Sequence, residues 1–117
     1  MEEAFKHAAL GLVSVIAGLS KIETYEKRLI SIHARDRENL LVRWLTEILY
    51  LSDAEKFLTA DITFDMINET SLKATILGQQ YRPSNHKLNI DVKAITYHHL
   101  MVEQIDNYWI VRVFVDI

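Results

Sequence analysis

Between residues 2 and 16 apolar side chains return every three or four positions, at Phe5, Ala8, Ala9, Leu12, Val13 and Ile16, while Glu2, Glu3, Lys6 and His7 take the other side. That period of 3.6 predicts an amphipathic helix, ending near Gly18, Ser20 and Lys21. The same spacing recurs at Leu41, Trp44, Leu45, Ile48 and Leu49, behind Asp36, a residue suited to cap a second helix running to about Leu51. Between the two, TYEKRLISIHA (24–34) alternates as a strand does, with Leu29, Ile30 and Ile32 its apolar members. Two further strands are predicted at 57–67 and 71–77 around the turn Asn68-Glu69-Thr70. The polar stretch QQYRPSNHKLN (79–89), which holds the only proline, reads as the longest loop.

The last third is predicted to be a hairpin, 91–103 against 108–117, turning at Asp106-Asn107. Counting outward from a two-residue turn sets Val102 opposite Val111, His99 opposite Phe114 and Tyr97 opposite Asp116. Alternation then gives an inner face of Val102, Leu100 and His98 with Trp109, Val111, Val113 and Val115. The outer face carries Lys93, Tyr97, His99, Met101 and Glu103 with Arg112 and Asp116. His98 is expected inward, as a core histidine, and His99 outward. The resulting fold class is α+β: one domain over 1–117, with two amphipathic helices packed on a mainly antiparallel sheet.

Composition narrows the chemistry. Half of the 117 residues are apolar, enough for one core, and a net charge of −3 offers no polybasic footprint for nucleic acid or membrane. With no cysteine there can be no disulfide, thiolate nucleophile or Cys-type zinc site. No apolar run has transmembrane length and the start lacks a basic signal region, so a soluble, cytoplasmic protein is expected. Three glycines leave little for a phosphate-cradling loop, and no nucleophile elbow supports a serine triad.

Two carboxylates end the chain together, the side chain of Asp116 and the α-carboxylate of Ile117. Such hard oxygens suit Ca²⁺, Mg²⁺ or Mn²⁺, but two carboxylates make half a site, and further ligands must come from elsewhere. His98 and His99 do not form a zinc pair if they alternate on a strand, and no HExxH accompanies them. Lys93 and Tyr97, four residues apart on a strand, would be ~13 Å apart and could share an interface but not a reacting atom.

Three segments, in order, resemble the archease family: EEAFKHAALGL, LLVRWLTEILYL, and HKLNIDVKAITYHHLMVE followed by the terminal FVDI. The helices are generic; VKAITYH and the chain-ending VDI are specific, and the resemblance spans nearly the whole chain. It implies a protein cofactor rather than an enzyme. That cofactor assists an RtcB-type RNA ligase in tRNA splicing by promoting its guanylylation and repeated turnover, meeting RNA only through the ligase. It also implies a divalent cation, Ca²⁺ before Mg²⁺ or Mn²⁺, with Asp116 and Ile117 as ligands. Lys93, Tyr97 and His98, in the signature block, would support the site or face the partner.

One departure stands at the front. The family opens with a strand bearing a His-Thr-Ala-Asp motif, which would supply the third ligand; here Met1 abuts the first helix without a capping residue. A weakened metal site and self-association through an uncovered sheet edge are the expected consequences. Two other functions compete with ligase activation. One is a chaperone-like modulator of tRNA-modifying enzymes such as a methyltransferase. The other is a metal-dependent hydrolase with His99 as base near Asp116.

Overall fold

A computed structural model describes residues 1–18 and 20–117. Helix α1 (Glu2–Ala17) buries the predicted stripe, Phe5, Ala9, Leu12, Val13 and Ile16. No side chain caps its start, although Glu2 and Glu3 sit in the first turn, where the helix dipole favours negative charge. At the other end Gly18 takes φ 61°, a left-handed conformation open to glycine without a Cβ clash. Its N–H donates to the Ser14 carbonyl at 2.8 Å, and the Asn89 N–H, from a distant loop, donates to the Ile16 carbonyl at 2.7 Å. The last turn of α1 is thereby closed by residues far apart in sequence.

Strand β1 (Glu26–His33) turns Ile30 and Ile32 inward. Leu29, expected to be one of its apolar contributors, is 74% exposed, because alternation gives the inner face to its neighbour Ile30. Helix α2 (Arg37–Asp53) starts where the sequence predicts: Asp36 is extended and its carboxylate accepts the Asn39 N–H at 2.9 Å. Leu40, Leu41, Trp44, Leu45 and Ile48 are completely buried, and the Trp44 indole N–H donates to the Phe5 carbonyl at 2.9 Å, pinning α2 to α1.

Strands β2 (Phe57–Ile67) and β3 (Ser71–Gln80) meet at Asn68, whose side-chain oxygen accepts the N–H groups of Thr70 (3.0 Å) and Ser71 (2.9 Å). Strand β3 lies between β1 and β2 in an antiparallel sheet and runs three residues past the expected end at 77. Gly78 belongs to that extension. It faces Glu26 on one side and Thr59 on the other, and a Cβ there would collide with the Leu58 carbonyl oxygen. Strands β4 (Ala94–Ile105) and β5 (Tyr108–Asp116) form a separate two-stranded antiparallel sheet where a single sheet was expected. The fold is α+β, with the helix pair packed on both sheets: α1 touches β2 and β5, and α2 touches β1, β2 and β4. Among the described residues no helix is long and apolar enough to cross a membrane.

Candidate functional site

The predicted site residues sit on or beside the β4–β5 hairpin, and the local backbone decides how they are presented. From the turn outward the predicted register holds: Ile105 faces Tyr108, Val102 faces Val111 and Met101 faces Arg112. Asp106, with φ 54°, supplies the left-handed residue of the turn. Beyond Met101 the register breaks. Pairing resumes only at Thr96 with Phe114, then Ile95 with Val115 and Ala94 with Asp116. The segment Tyr97–Leu100 bulges opposite Val113, so His99 does not face Phe114 and Tyr97 does not face Asp116 as counted.

Three interactions hold this bulge. His99 adopts φ 50°, rare for a residue with a Cβ. Its carbonyl, removed from the ladder, accepts the Arg112 Nε–H at 2.9 Å. The Thr96 hydroxyl donates to the Phe114 carbonyl at 3.0 Å and accepts the His98 N–H at 3.3 Å. An odd shift in register exchanges the two faces of a strand, which brings Ile95 onto the core below the bulge while Leu100 and Val102 remain on it above.

The same shift corrects the histidine assignment. His98 is exposed, not a core histidine, and the two imidazoles do not part company: their ring centroids are 4.1 Å apart, and both lean on the Phe114 ring at 5.6 and 5.7 Å. His99, considered as a base beside Asp116, is occupied with His98 and Phe114 instead. Tyr97 is exposed but tethered. Its hydroxyl donates to Asn39 Oδ1 at 2.8 Å, and Asn39 Nδ2 donates to Asp36 Oδ1 at 2.8 Å, so the bulge is tied to the cap of α2. The Asn39 backbone N–H first, and its side-chain Nδ2–H second, hold the Asp36 carboxyl below its ordinary pKa, against an opposing effect of burial.

Lys93 is exposed and precedes β4 instead of lying on it; its backbone N–H donates to the Asp116 carbonyl at 2.7 Å. The signature lysine and the C-terminal acid are thus neighbours through their main chains. Ile117 is two-thirds exposed. Among the described residues no three His, Asp or Glu side chains gather closely enough to hold a metal ion. Asp116 and the terminal carboxylate present two carboxylates, four oxygens at most, short of the six or so that Ca²⁺ or Mg²⁺ requires. The residues at hand do not by themselves complete a cation site.

Sequence reasoning missed Thr96 and Asn39, and gave Phe114 and Arg112 a place on the hairpin but no role. The Asp36-x-x-Asn39 spacing signals a cap, but its bond to Tyr97 spans 58 residues and leaves no local trace.

An α+β domain with an irregular, histidine-bearing terminal hairpin is the class that fold and site define, and comparison with known proteins makes it specific. The profile of the Archease protein family (MTH1598/TM1083) matches residues 1–117. A "Protein archease" of Pyrobaculum neutrophilum is 37% identical over 121 residues, covering 100% of this chain and 82% of the relative. One of Methanosarcina acetivorans is 34% identical over 121 residues, covering 100% and 83%. The solution structure of Methanobacterium thermoautotrophicum protein 1598 superposes with a TM-score of 0.83 at 30% identity, covering 99% of this chain and 84% of that one. The chain belongs to the archease family.

Proposed function

We propose that this protein is a non-catalytic protein cofactor that activates an RtcB-type RNA ligase, promoting its guanylylation and repeated turnover in tRNA splicing or RNA repair. Family membership over the whole chain carries this reading. The exposed array on the hairpin supports it: Lys93, Tyr97 and His98 are available to a partner, and Tyr97 is held in one orientation by Asn39. Tyr97, held in this way, loses little side-chain freedom on docking.

The test is multiple-turnover RNA ligation by the cognate ligase with and without this protein. Stimulated recycling that Lys93→Ala removes, at unchanged melting temperature, is the expected result; ligation indifferent to the protein overturns the reading. A divalent cation at Asp116 and Ile117 belongs to the same proposal, with its remaining oxygens drawn from outside the described cluster. Calcium titration calorimetry on the parent and on Asp116→Asn, alone and with the ligase present, decides that part. Heat that is the same for both proteins removes the metal assignment.

A further inference from the structure

A second polar site lies apart from the hairpin, where the segment before β1 meets the loop after β3. A groove of about 640 Å³ opens there, lined by Lys21, Glu23, Tyr25, Gln79, Arg82, Ser84 and Asn85, so that one carboxylate shares the lining with two cations. Its volume is in the range of small-ligand sites. Two features separate it from a merely solvated surface.

The first is how its cations are held. His86 is almost fully buried, at 4% exposure, and its ring bridges the main chains of the two cationic residues. Nδ1 accepts the Arg82 N–H at 2.9 Å, so it carries no hydrogen, and the hydrogen is on Nε2, which donates to the Lys21 carbonyl at 3.1 Å. The Asn85 and His86 N–H groups both donate to the Arg82 carbonyl at 2.9 Å, closing a tight turn that presents Ser84 and Asn85 beside Arg82. Gln79, only 3% exposed, completes the frame by accepting the Glu23 N–H at 2.7 Å. A buried polar framework thus fixes the backbone of an exposed polar groove.

The second is what the groove presents. Arg82 makes no ion pair among the described residues, and Lys21 has only Glu23, at 3.5 Å, with 86% of its side chain exposed. Ser84 and Asn85 add neutral hydrogen-bond donors, and Tyr25, 72% exposed, offers an aromatic face without an aromatic partner among the described residues. A guanidinium fork, an ammonium and a hydroxyl suit the oxygens of a phosphate. An exposed aromatic ring beside them suits a base stacked on it.

We infer that the His86-stapled groove of Lys21, Tyr25 and Arg82 binds a nucleotide, its phosphate on Lys21 and Arg82 and its base on Tyr25. An acidic peptide would satisfy the cations but leave the aromatic wall unused. With a net charge of −3 the remaining surface adds little attraction, so the site takes one nucleotide at low affinity instead of tracking a long strand. The inference does not rest on ligase activation, because the isolated chain is what binds.

Backbone amide shifts of the whole chain, followed by NMR, provide the test with four probes: cytidine 5′-monophosphate, cytidine, ribose 5-phosphate and a ten-residue oligocytidylate. The monophosphate should move the amides of Lys21, Tyr25, Arg82, Ser84 and Asn85 saturably. Arg82→Gln should weaken this about tenfold, as loss of one charge-assisted bond does, while Arg43→Gln, a change on the exposed side of α2, leaves it intact. Ribose 5-phosphate should bind about fivefold more weakly, or worse, for want of stacking, and Tyr25→Ala should abolish the difference. Equal affinity for the oligomer and the monophosphate supports a single-nucleotide site; tighter binding of the oligomer per chain overturns the single-nucleotide reading in favour of an RNA strand. The inference is overturned if no groove amide moves, if cytidine binds as well as its phosphate, or if Arg43→Gln weakens binding as much as Arg82→Gln.

Discussion

In the body formed by α1, α2 and the β1–β3–β2 sheet, Phe5, Leu40, Leu41, Trp44, Phe57 and Ile76 are wholly buried; in the β4–β5 hairpin Val102 alone reaches that state. The body's helices keep their period from end to end. The hairpin keeps its own for five residue pairs and then slips. A helix satisfies its backbone internally, so a stripe of apolar residues fixes its face without reference to any partner. A strand finds partners only across the ladder, and residues such as His99, Thr96 and Arg112 can reroute those bonds while the core beneath still fills. The body has slips of its own, since β2 shifts against β3 between Thr59 and Asp61 and between Phe64 and Met66, but it holds most of the buried core, and the hairpin's slip is the one that re-aims the predicted site residues.

The sharpest way to break this contrast is to remove the centre of the body. Trp44→Ala deletes a fully buried ring that lies 5.2 Å from the Phe64 ring and donates to Phe5, and should cost about 3–5 kcal/mol. Urea unfolding reads it directly. A loss below about 1 kcal/mol would mean that the two regions share the stability more evenly than their burial indicates.

Next in size is the clasp of the bulge. Arg112→Met keeps the apolar stem but removes the donor to the His99 carbonyl, and the expected cost is about 1 kcal/mol on an exposed strand. Hydrogen exchange should show the effect concentrated at 97–100 and absent from α2. A uniform rise in exchange would make the hairpin and the body one cooperative unit.

His98→Ala separates the register counted from the turn from the register found. A core histidine would lose about 1–3 kcal/mol through lost packing and hydrogen bonding, whereas the exposed ring seen here should change stability by less than about 0.5 kcal/mol. Under the proposed function, its effect is expected in ligase stimulation instead. Unfolding of this variant beside the parent distinguishes the two arrangements.

The same contrast explains what could be read from the chain itself. Both helices, the Asp36 cap, the Asn68 turn and the pairing from Ile105 to Met101 were legible because each depends on residues within a few positions of one another. Lys93, Tyr97 and the two histidines were found as a group because the signature block is contiguous. Their faces were not, since parity along a strand survives only to the first bulge and nothing local announces that His99 will take a positive φ. The split into two sheets was equally hidden, as it depends on how the helix pair fills the space between them. The His86 staple escaped because the residues it joins, Lys21 and Arg82, are 61 positions apart.

The smallest effect tests a hydrogen-bonded link between the two regions, the chain from Tyr97 through Asn39 to Asp36, which lies beside their apolar packing. The Asp36 carboxyl is held below its ordinary value of 3.8 by the Asn39 backbone N–H first and the Asn39 side chain second. A carboxyl depressed in the folded state stabilises the fold above its unfolded pKa, and that contribution is lost as pH falls through the lower, folded value. Asp61 acts in the same direction, lowered by the Ile62 N–H and then by Lys6, whose ammonium lies 3.1 Å away. The parent should therefore lose melting temperature on acidification below about pH 4. Asp36→Asn retains a capping oxygen, since asparagine is as good a cap as aspartate, but does not titrate. It should match the parent's fold at neutral pH with a shallower acid limb, the remaining slope belonging to Asp61 and the other carboxylates. Tyr97→Phe with Asp36 retained should leave the parent's acid limb unchanged, because Tyr97 meets Asn39 and not the carboxylate. If removing the Tyr97 hydroxyl steepens or flattens the acid limb, the hairpin is coupled to the body through the cap rather than resting upon it.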